Sequence, residues 1–454
     1  MLNNSIFHSY DIRGEWNKEW DSRGVEDLGK AIVKNYFPKT IAIGRDMRLS
    51  SDEIFSTFKD TFIKYGIEVW DLGQISTDIS YFVSGSLKPD LTIMITASHN
   101  PPQYNGMKIT LPGGDSISYE SGFSQLQKLA EDNNFDLREK EGGKIIEKDV
   151  YPDYIKSVLS LVNKDKIKPL KIVVDAGNGM AGKVLPKVFE NLSVEYIPMF
   201  FKLDGSFPNH LANPLLPEAV ESLRKKVLEE QTDLGVGFDG DGDRMVLMDE
   251  TGQVLSGTVM TAMLASTILS DNLGRTVCYN AICGRVVPQT IIKEGGKPIR
   301  TPVGYSIIKK IMRENEAVFA GEHSYHFFFP KLYFADSGMT ALAISLELLS
   351  KQDIALSEVR KKYDVYPQSG EINFQVDDKQ RVMKQVEEKF KDTAKTIDNL
   401  DGSSVWFDDW WFNLRPSNTE PLLRLNIEAD DANILVGHQT ELIDLIQSMG
   451  GNKA

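Results

Sequence analysis

Three aspartates alternate with glycines in Phe238-Asp239-Gly240-Asp241-Gly242-Asp243-Arg244. Side chains at that spacing bring their carboxylates to one point only on an open, irregular backbone. There they make a hard, oxygen-rich cage suited to Mg²⁺ or Ca²⁺. An arginine beside such a cage is electrostatically odd unless an anion larger than the carboxylates joins it. A phosphate answers that description, because three carboxylates and a dianion outweigh one divalent ion and a guanidinium helps restore the balance. Far upstream, Thr96-Ala97-Ser98-His99-Asn100-Pro101-Pro102 presents one hydroxyl ahead of a double proline. Serine is a weak nucleophile and needs an activating partner or a covalent load. Near the other end, Arg415-Pro416-Ser417-Asn418-Thr419-Glu420-Pro421 gathers a guanidinium, hydroxyls, an amide and backbone N–H groups in a tight turn, the makings of an anion cradle.

Two other chemistries compete. Glu250 falls at the twelfth position counted from Asp239, as in an EF-hand loop. The sixth position is Arg244 where that loop needs glycine, and Met245-Val246-Leu247-Met248 reads as a strand, so a metal site between two strands fits better. Gly177-Asn178-Gly179-Met180-Ala181-Gly182 matches G-x-G-x-x-G after an apolar run, with Glu195 further on, and by spacing passes for a dinucleotide site. Glycines also serve any close strand-to-helix turn, and Pro208, Pro214 and Pro217 interrupt the chain soon afterwards.

The elements that must position these groups follow from pattern. The apolar run 91–95 reads as a strand buried on both faces and ends at the serine loop. Upstream, 40–46 reads as strand then turn. Ser50 and Glu53 are spaced as a capping box, and Phe55, Phe58, Phe62 and Ile63 keep helical spacing to Gly66, before a strand over 68–72. Strand, helix, strand implies a parallel sheet, with Ser98 at a carboxyl strand end where open α/β sheets keep their ligands. A charge-rich stretch, 131–148, marks a boundary. Strands at 170–175 and 194–197 open a second domain, a helix with Met260, Met263 and Leu264 a third, and a strand at 372–376 with helices at 381–391 and 434–449 a fourth. Trp406, Trp410 and Trp411 read as core or hinge filling.

The chain has 454 residues, past the roughly 250–300 at which one core stops growing, so several domains are expected. A net charge of −14 argues against a nucleic-acid or anionic-membrane surface without excluding an anionic small substrate. Cys278 and Cys283 cannot make a disulfide framework and read as reduced buried thiols. The opening residues lack a basic and an apolar leader region, and the most apolar later stretch, 259–269, is too short to span a bilayer. A cytoplasmic, soluble protein is expected.

Five segments carry a family resemblance: Tyr10-Asp11-Ile12-Arg13-Gly14, the Ser98 loop, Asp239-Gly-Asp-Gly-Asp-Arg244, Gly321-Glu322-His323-Ser324-Tyr325-His326, and Arg415 to Pro421. In this order the chain resembles the α-D-phosphohexomutases, the phosphomannomutase/phosphoglucomutase enzymes. The resemblance implies three similar mixed-sheet α/β domains plus a smaller C-terminal α+β domain around a central cleft. We set them at 1–150 with a phosphoserine loop, 151–255 with a metal loop, 256–368 with a sugar-specificity loop and 369–454 with a phosphate loop. It implies that Ser98 carries a phosphoryl group at rest, that one Mg²⁺ per active site is held by Ser98, Asp239, Asp241 and Asp243, and that hexose 1,6-bisphosphate is intermediate and activator. Arg13, His99, Lys108, Arg244 and His326 become catalytic candidates. Tyr10, Glu322, Ser324, Arg415, Ser417, Asn418 and Thr419 become substrate contacts, with Glu322 and Ser324 on two sugar hydroxyls. Tyr305 stands where the family often has histidine, Ala281-Ile282 where many sugar mutases have lysine, and His323 at the variable loop position. The implied partner is a phosphosugar substrate, not nucleic acid or membrane, and the implied enzyme is a monomer or homodimer. Phosphoglucosamine mutase is the near alternative, and mannose is not ranked against glucose; a nicotinamide-dependent dehydrogenase and a calcium-binding protein are the alternatives from other classes.

Overall fold

A computed structural model describes residues 1–417 and 422–453. The chain forms two compact units, 1–256 with 324–358, and 257–323 with 359–454. The architecture is α/β, with a C-terminal α+β portion built on an antiparallel sheet.

In the first unit, one sheet runs in the order Ile12–Glu15, Tyr104–Leu111, Leu91–Ile95, Thr40–Arg45, Glu68–Gln74, Lys144–Glu147. Helix Ser51–Lys64 joins Thr40–Arg45 to its parallel neighbour Glu68–Gln74, as the alternating pattern requires. All five residues of Leu91–Ile95 are buried, and Leu91, Ile93 and Ile95 share one core with Ile43, Phe58 and Phe62. Full burial of each such side chain stabilises by roughly 1.5–3 kcal/mol. The expected capping box is absent. Ser50 sits in helical backbone and makes no cap hydrogen bond; its Oγ instead accepts from Asn105 Nδ2 at 2.8 Å, and Glu53 accepts from Ser22. A buried amide on strand Tyr104–Leu111 takes the hydroxyl instead. The charge-rich stretch read as a boundary contains an edge strand, Lys144–Glu147, parallel to Glu68–Gln74. Its charges suit an exposed edge.

A second sheet of this unit is ordered Met245–Asp249, Leu234–Phe238, Leu170–Asp175, Val194–Met199. The first two strands form an antiparallel hairpin whose connection is the acidic loop. The glycines of 177–182 serve packing: a Cβ on Gly179 would stand 2.7 Å from the Gly240 carbonyl, and one on Gly182 would stand 2.2 Å from that of Phe201. At both positions the missing Cβ is what lets protein backbone pack this closely. The unit also holds the hairpin Phe327–Phe329 with Ala335–Asp336 and the buried helix Gly338–Gln352.

The second unit contains parallel strands Lys297–Thr301, Thr276–Asn280 and Phe319–Gly321, beside helix Gly257–Ser270, which is apolar and buried almost all round. Its antiparallel sheet is ordered Thr396–Asp398, Ser403–Trp406, Trp410–Pro416, Leu422–Ala429, Gln368–Gln375, Asn452–Lys453. Period-two alternation divides its faces. Phe374, Trp410, Phe412, Leu414, Leu423 and Leu425 join one core, while Trp411, Asn413, Arg415, Arg424, Asn426 and Glu428 alternate with them. Trp410 stacks on His438 and Trp411 on Trp406, so the tryptophans do fill the packing, on opposite sides of the sheet. Among the described residues, no helix is long and apolar enough to cross a membrane.

Candidate active site

Ser98 follows strand Leu91–Ile95 in left-handed backbone, φ +49°, a conformation costly for a residue with a Cβ. Its surroundings hold it there. Its N–H donates to Thr96 Oγ1 at 2.9 Å. Arg48 donates through Nη2 to the carbonyls of Ser98 at 2.9 Å and Asn100 at 2.7 Å, and through Nη1 to those of Pro101 and Tyr104. That guanidinium is buried and paired with Asp46. Arg48 was not singled out from sequence, since an arginine before a helix carries no distinctive signal. Gly240 explains one glycine of the acidic loop: a Cβ there would lie 2.5 Å from the Ser98 carbonyl.

The Ser98 hydroxyl donates to Asp239 Oδ2 at 2.9 Å. Asp239, Asp241 and Asp243 are fully buried, and one carboxylate oxygen from each lies within 4.8 Å of the other two. Arg244 Nε donates to Asp239 Oδ2 at 2.9 Å, while the Gly242 and Arg244 N–H groups donate to its Oδ1. Lys108, on strand Tyr104–Leu111, reaches Asp243 Oδ2 at 2.6 Å and Asp241 Oδ2 at 3.3 Å. Asp241 Oδ1 and Asp243 Oδ1, by contrast, are buried with no hydrogen-bond partner among the described residues. Orphaned anionic oxygens in one cluster are costly unless a cation meets them, so the residues fit a divalent ion. Burial, then Asp243, pushes Asp239 up to about 7 despite Arg244. Burial alone would raise Asp243, but Lys108 and His326 outweigh it and hold it low. Burial would likewise lower Lys108, yet Asp241 and Asp243 keep it well above its ordinary value. Glu250 lies outside this cluster, accepting from the Ser357 backbone and hydroxyl, which removes the twelfth ligand of an EF-hand.

His99 Nδ1 lies 3.2 Å from Ser98 Oγ. Burial, with Arg244 and Arg13 nearby, depresses its pKa well below the usual histidine value. Arg13 donates to Asn100 Oδ1 at 2.6 Å and pairs with Asp11. Tyr10 is half-buried in the turn before strand Ile12–Glu15. His326 bridges to Arg244 by backbone pairing, and its Nδ1 lies 2.8 Å from Asp336 Oδ2. Asp336, like Arg48, was missed from sequence, being one acid in an aromatic-rich hairpin.

In the second unit, Glu322 is buried and accepts from Asn280 Nδ2 at 3.2 Å. The Asn280 side-chain Oδ1 accepts from the His323 N–H, and His323 Nδ1 lies 2.9 Å from Thr258 Oγ1. Burial pushes His323 down to about 4. Arg415 is buried, 3.3 Å from Glu371 Oε2, and Arg424, opposite it on the sheet, lies 3.1 Å from Glu371 Oε1. The Ser417 N–H donates to the Leu422 carbonyl. Asn418 and Thr419 lie outside the described residues. Ser324, half-buried, begins the first unit's second segment, so Glu322 and Ser324 are not assigned to one compact body. Burial pushes Cys278 and Cys283 up to about 12.

A hydroxyl, clustered carboxylates and fixed cations on an α/β scaffold suit transfer of an anionic group. Comparison with known proteins narrows the class. Phosphoglucomutase/phosphomannomutase alpha/beta/alpha domains I, II and III match residues 4–146, 149–252 and 256–366, and the C-terminal domain of that family matches 371–444. A phosphomannomutase of Vibrio cholerae is 37% identical, the match spanning 98% of this chain and 99% of that protein. One from Methanocaldococcus jannaschii is also 37% identical, over 98% of each. A crystal structure of a phosphoglucomutase/phosphomannomutase family protein from Burkholderia thailandensis superposes with a TM-score of 0.90 at 30% identity, covering 100% of both chains. The chain belongs to the phosphoglucomutase/phosphomannomutase family, and is a phosphohexose mutase, an isomerase by reaction class.

Proposed function

We propose that this enzyme interconverts hexose 1-phosphate and hexose 6-phosphate, with mannose or glucose as the sugar, by way of a phosphoserine at Ser98 and a hexose 1,6-bisphosphate. The observation that carries the reading is Ser98 Oγ at 2.9 Å from Asp239 Oδ2, beside two orphaned triad oxygens. Ser98, Asp239, Asp241 and Asp243 would hold a Mg²⁺ ion. When bound, that ion supplies charge neutralisation to a phosphoryl group.

In the forward step, a sugar hydroxyl oxygen bonds to phosphorus as the phosphorus–Ser98 Oγ bond breaks. The hydroxyl proton passes to a base. His326 suits that role: Asp336 accepts its Nδ1 proton, which puts the basic lone pair on Nε2. The bisphosphate then returns its other phosphoryl group to Ser98 Oγ, and the departing sugar oxygen recovers a proton. Direct migration between C1 and C6 is out of geometric reach, so a relay through a fixed nucleophile is needed. Lys108, its pKa held high, works as a fixed charge and not as the base. His99, its pKa depressed, stands as a neutral ring beside the serine. Arg13 steadies the loop through Asn100, and Tyr10 lines its approach. Glu322 and Ser324 grip sugar hydroxyls, while Arg415, Ser417, Asn418 and Thr419 hold the non-reacting phosphate.

We place the domains at 1–150, 151–255, 256–368 and 369–454, in a cytoplasmic enzyme whose two cysteines stay reduced. Incubation with glucose 1,6-bisphosphate followed by peptide mass mapping tests the reading, alongside coupled assays on mannose, glucose and glucosamine 1-phosphates. One phosphoryl group on the Ser98 peptide, absent in Ser98→Ala, is expected. Turnover by Ser98→Ala at the parent rate would overturn it.

A further inference from the structure

The acidic triad is held from a side that no motif announces. Helix Thr77–Ser86 begins beneath the second sheet's acidic loop, and its first turn is fully buried: Ser76, Thr77 and Asp78 are each 0% exposed. Thr77 touches Asp241 twice. Its N–H donates to the Asp241 carbonyl at 3.0 Å, and its Oγ1 donates to Asp241 Oδ2 at 2.6 Å. Thr96 Oγ1 and Lys108 Nζ reach the same Oδ2 more loosely, each at 3.3 Å. Every side-chain donor to the Asp241 carboxylate therefore lies on Oδ2, and Oδ1 has no hydrogen-bond partner among the described residues.

The next residue, Asp78, anchors this turn. That carboxylate accepts from Ser76 Oγ, Tyr154 OH and Ser337 Oγ and from the Ile79 N–H. Ser337 also caps helix Gly338–Gln352, accepting from the Thr340 N–H, so two helix N-termini converge on one anion. The web fixes the first turn of Thr77–Ser86, and with it the direction of the Thr77 hydroxyl.

We infer that Thr77 is a positioning residue for the divalent ion: by occupying Asp241 Oδ2 it turns Oδ1 toward the cation and fixes the rotamer of that ligand. The inference rests on the metal reading of the triad. Groups that orient a ligand typically change metal affinity by about 10–100-fold when removed. A hydroxyl is the required feature, so valine, equal in shape, removes it and serine keeps it.

The experiment titrates the full-length, dephosphorylated, chelator-treated protein with Mn²⁺, following free ion by electron paramagnetic resonance. Parent, Thr77→Val, Thr77→Ser and Asp241→Asn are compared, with a thermal melt of each metal-free protein. Thr77→Val should weaken Mn²⁺ binding by about tenfold or more, Thr77→Ser should bind like the parent, and both should melt alike. The Mg²⁺ concentration for half activation should rise in Thr77→Val while KM for the phosphosugar stays put. A parent that binds no Mn²⁺ overturns the metal site and this inference together. A parent that binds while Thr77→Val binds equally well overturns the Thr77 role alone, as does a Thr77→Ser as weak as Thr77→Val.

Discussion

Arg48 Nη2 lies 2.9 Å from the carbonyl oxygen of Ser98, and the same guanidinium donates to three further carbonyls of the loop. The nucleophile candidate thus sits in strained backbone because a buried cation, fixed by Asp46, ties the loop around itself.

Replacing that cation should cost both stability and chemistry. Arg48→Met leaves Asp46 buried without its counter-charge, a loss of about 3–5 kcal/mol, and frees the loop. Phosphoryl incorporation from glucose 1,6-bisphosphate should fall by about 100-fold or more. Arg48→Lys, which cannot span four carbonyls, should rescue little of it. Parent-like labelling in Arg48→Met would remove the loop-tying role.

Lys108 neutralises part of the charge of the buried acidic triad. Lys108→Met should lower kcat by about 100-fold. Because the amine's pKa is held well above its ordinary value, no ionisation of Lys108 should appear in the parent's pH–rate profile between about pH 6 and 9. A basic limb in that window that vanishes in Lys108→Arg would show the lysine titrating, and would restore it as a base.

Arg415 is expected to hold a phosphate without entering the chemistry. Arg415→Ala should raise KM for hexose 1-phosphate by about 10–100-fold, the loss of one strong charge-assisted pair, with kcat changed far less. Steady-state kinetics settle this; an unchanged KM would detach the loop from substrate.

His210 offers a pH test of the fold. Its Nε2 lies 2.9 Å from Asp175 Oδ2 and its Nδ1 2.8 Å from the Leu211 carbonyl, so both nitrogens face acceptors. Burial alone would lower its pKa, but the hydrogen bond and charge of Asp175 raise it above the usual value. A raised folded value means that the pair's stabilisation is complete below the unfolded pKa of about 6.5 and is lost as pH rises through the higher folded one. Urea midpoints of the parent should therefore fall relative to His210→Asn as pH increases across that window. A constant difference would show that the ring does not titrate there.

Much of the site was legible as strings of residues. Ser98 at a carboxyl strand end, three aspartates on a glycine-broken loop and a strand–helix–strand unit each announce themselves through local pattern, and the fold places them as that pattern requires. The capping box at Ser50 failed because Asn105, distant in sequence, takes the hydroxyl. The edge strand Lys144–Glu147 was hidden by its charges, which answer to an exposed edge and not to a core. The dinucleotide-like glycines were ambiguous until packing showed what fills the space above them.

Alone, the sequence determined which chemical groups exist, which of them lie on one loop, and how apolar residues repeat along each element, because these depend on neighbours in the chain. Only the tertiary structure decided which distant side chains share a carboxylate. Thr77 reaches Asp241 across 164 positions and Lys108 reaches Asp243 across 135. Arg48, Thr77, Asn280 and Asp336 have no distinguishing spacing, and what each does comes from burial beside charges that the folding of separate strands and helices brings within hydrogen-bond reach.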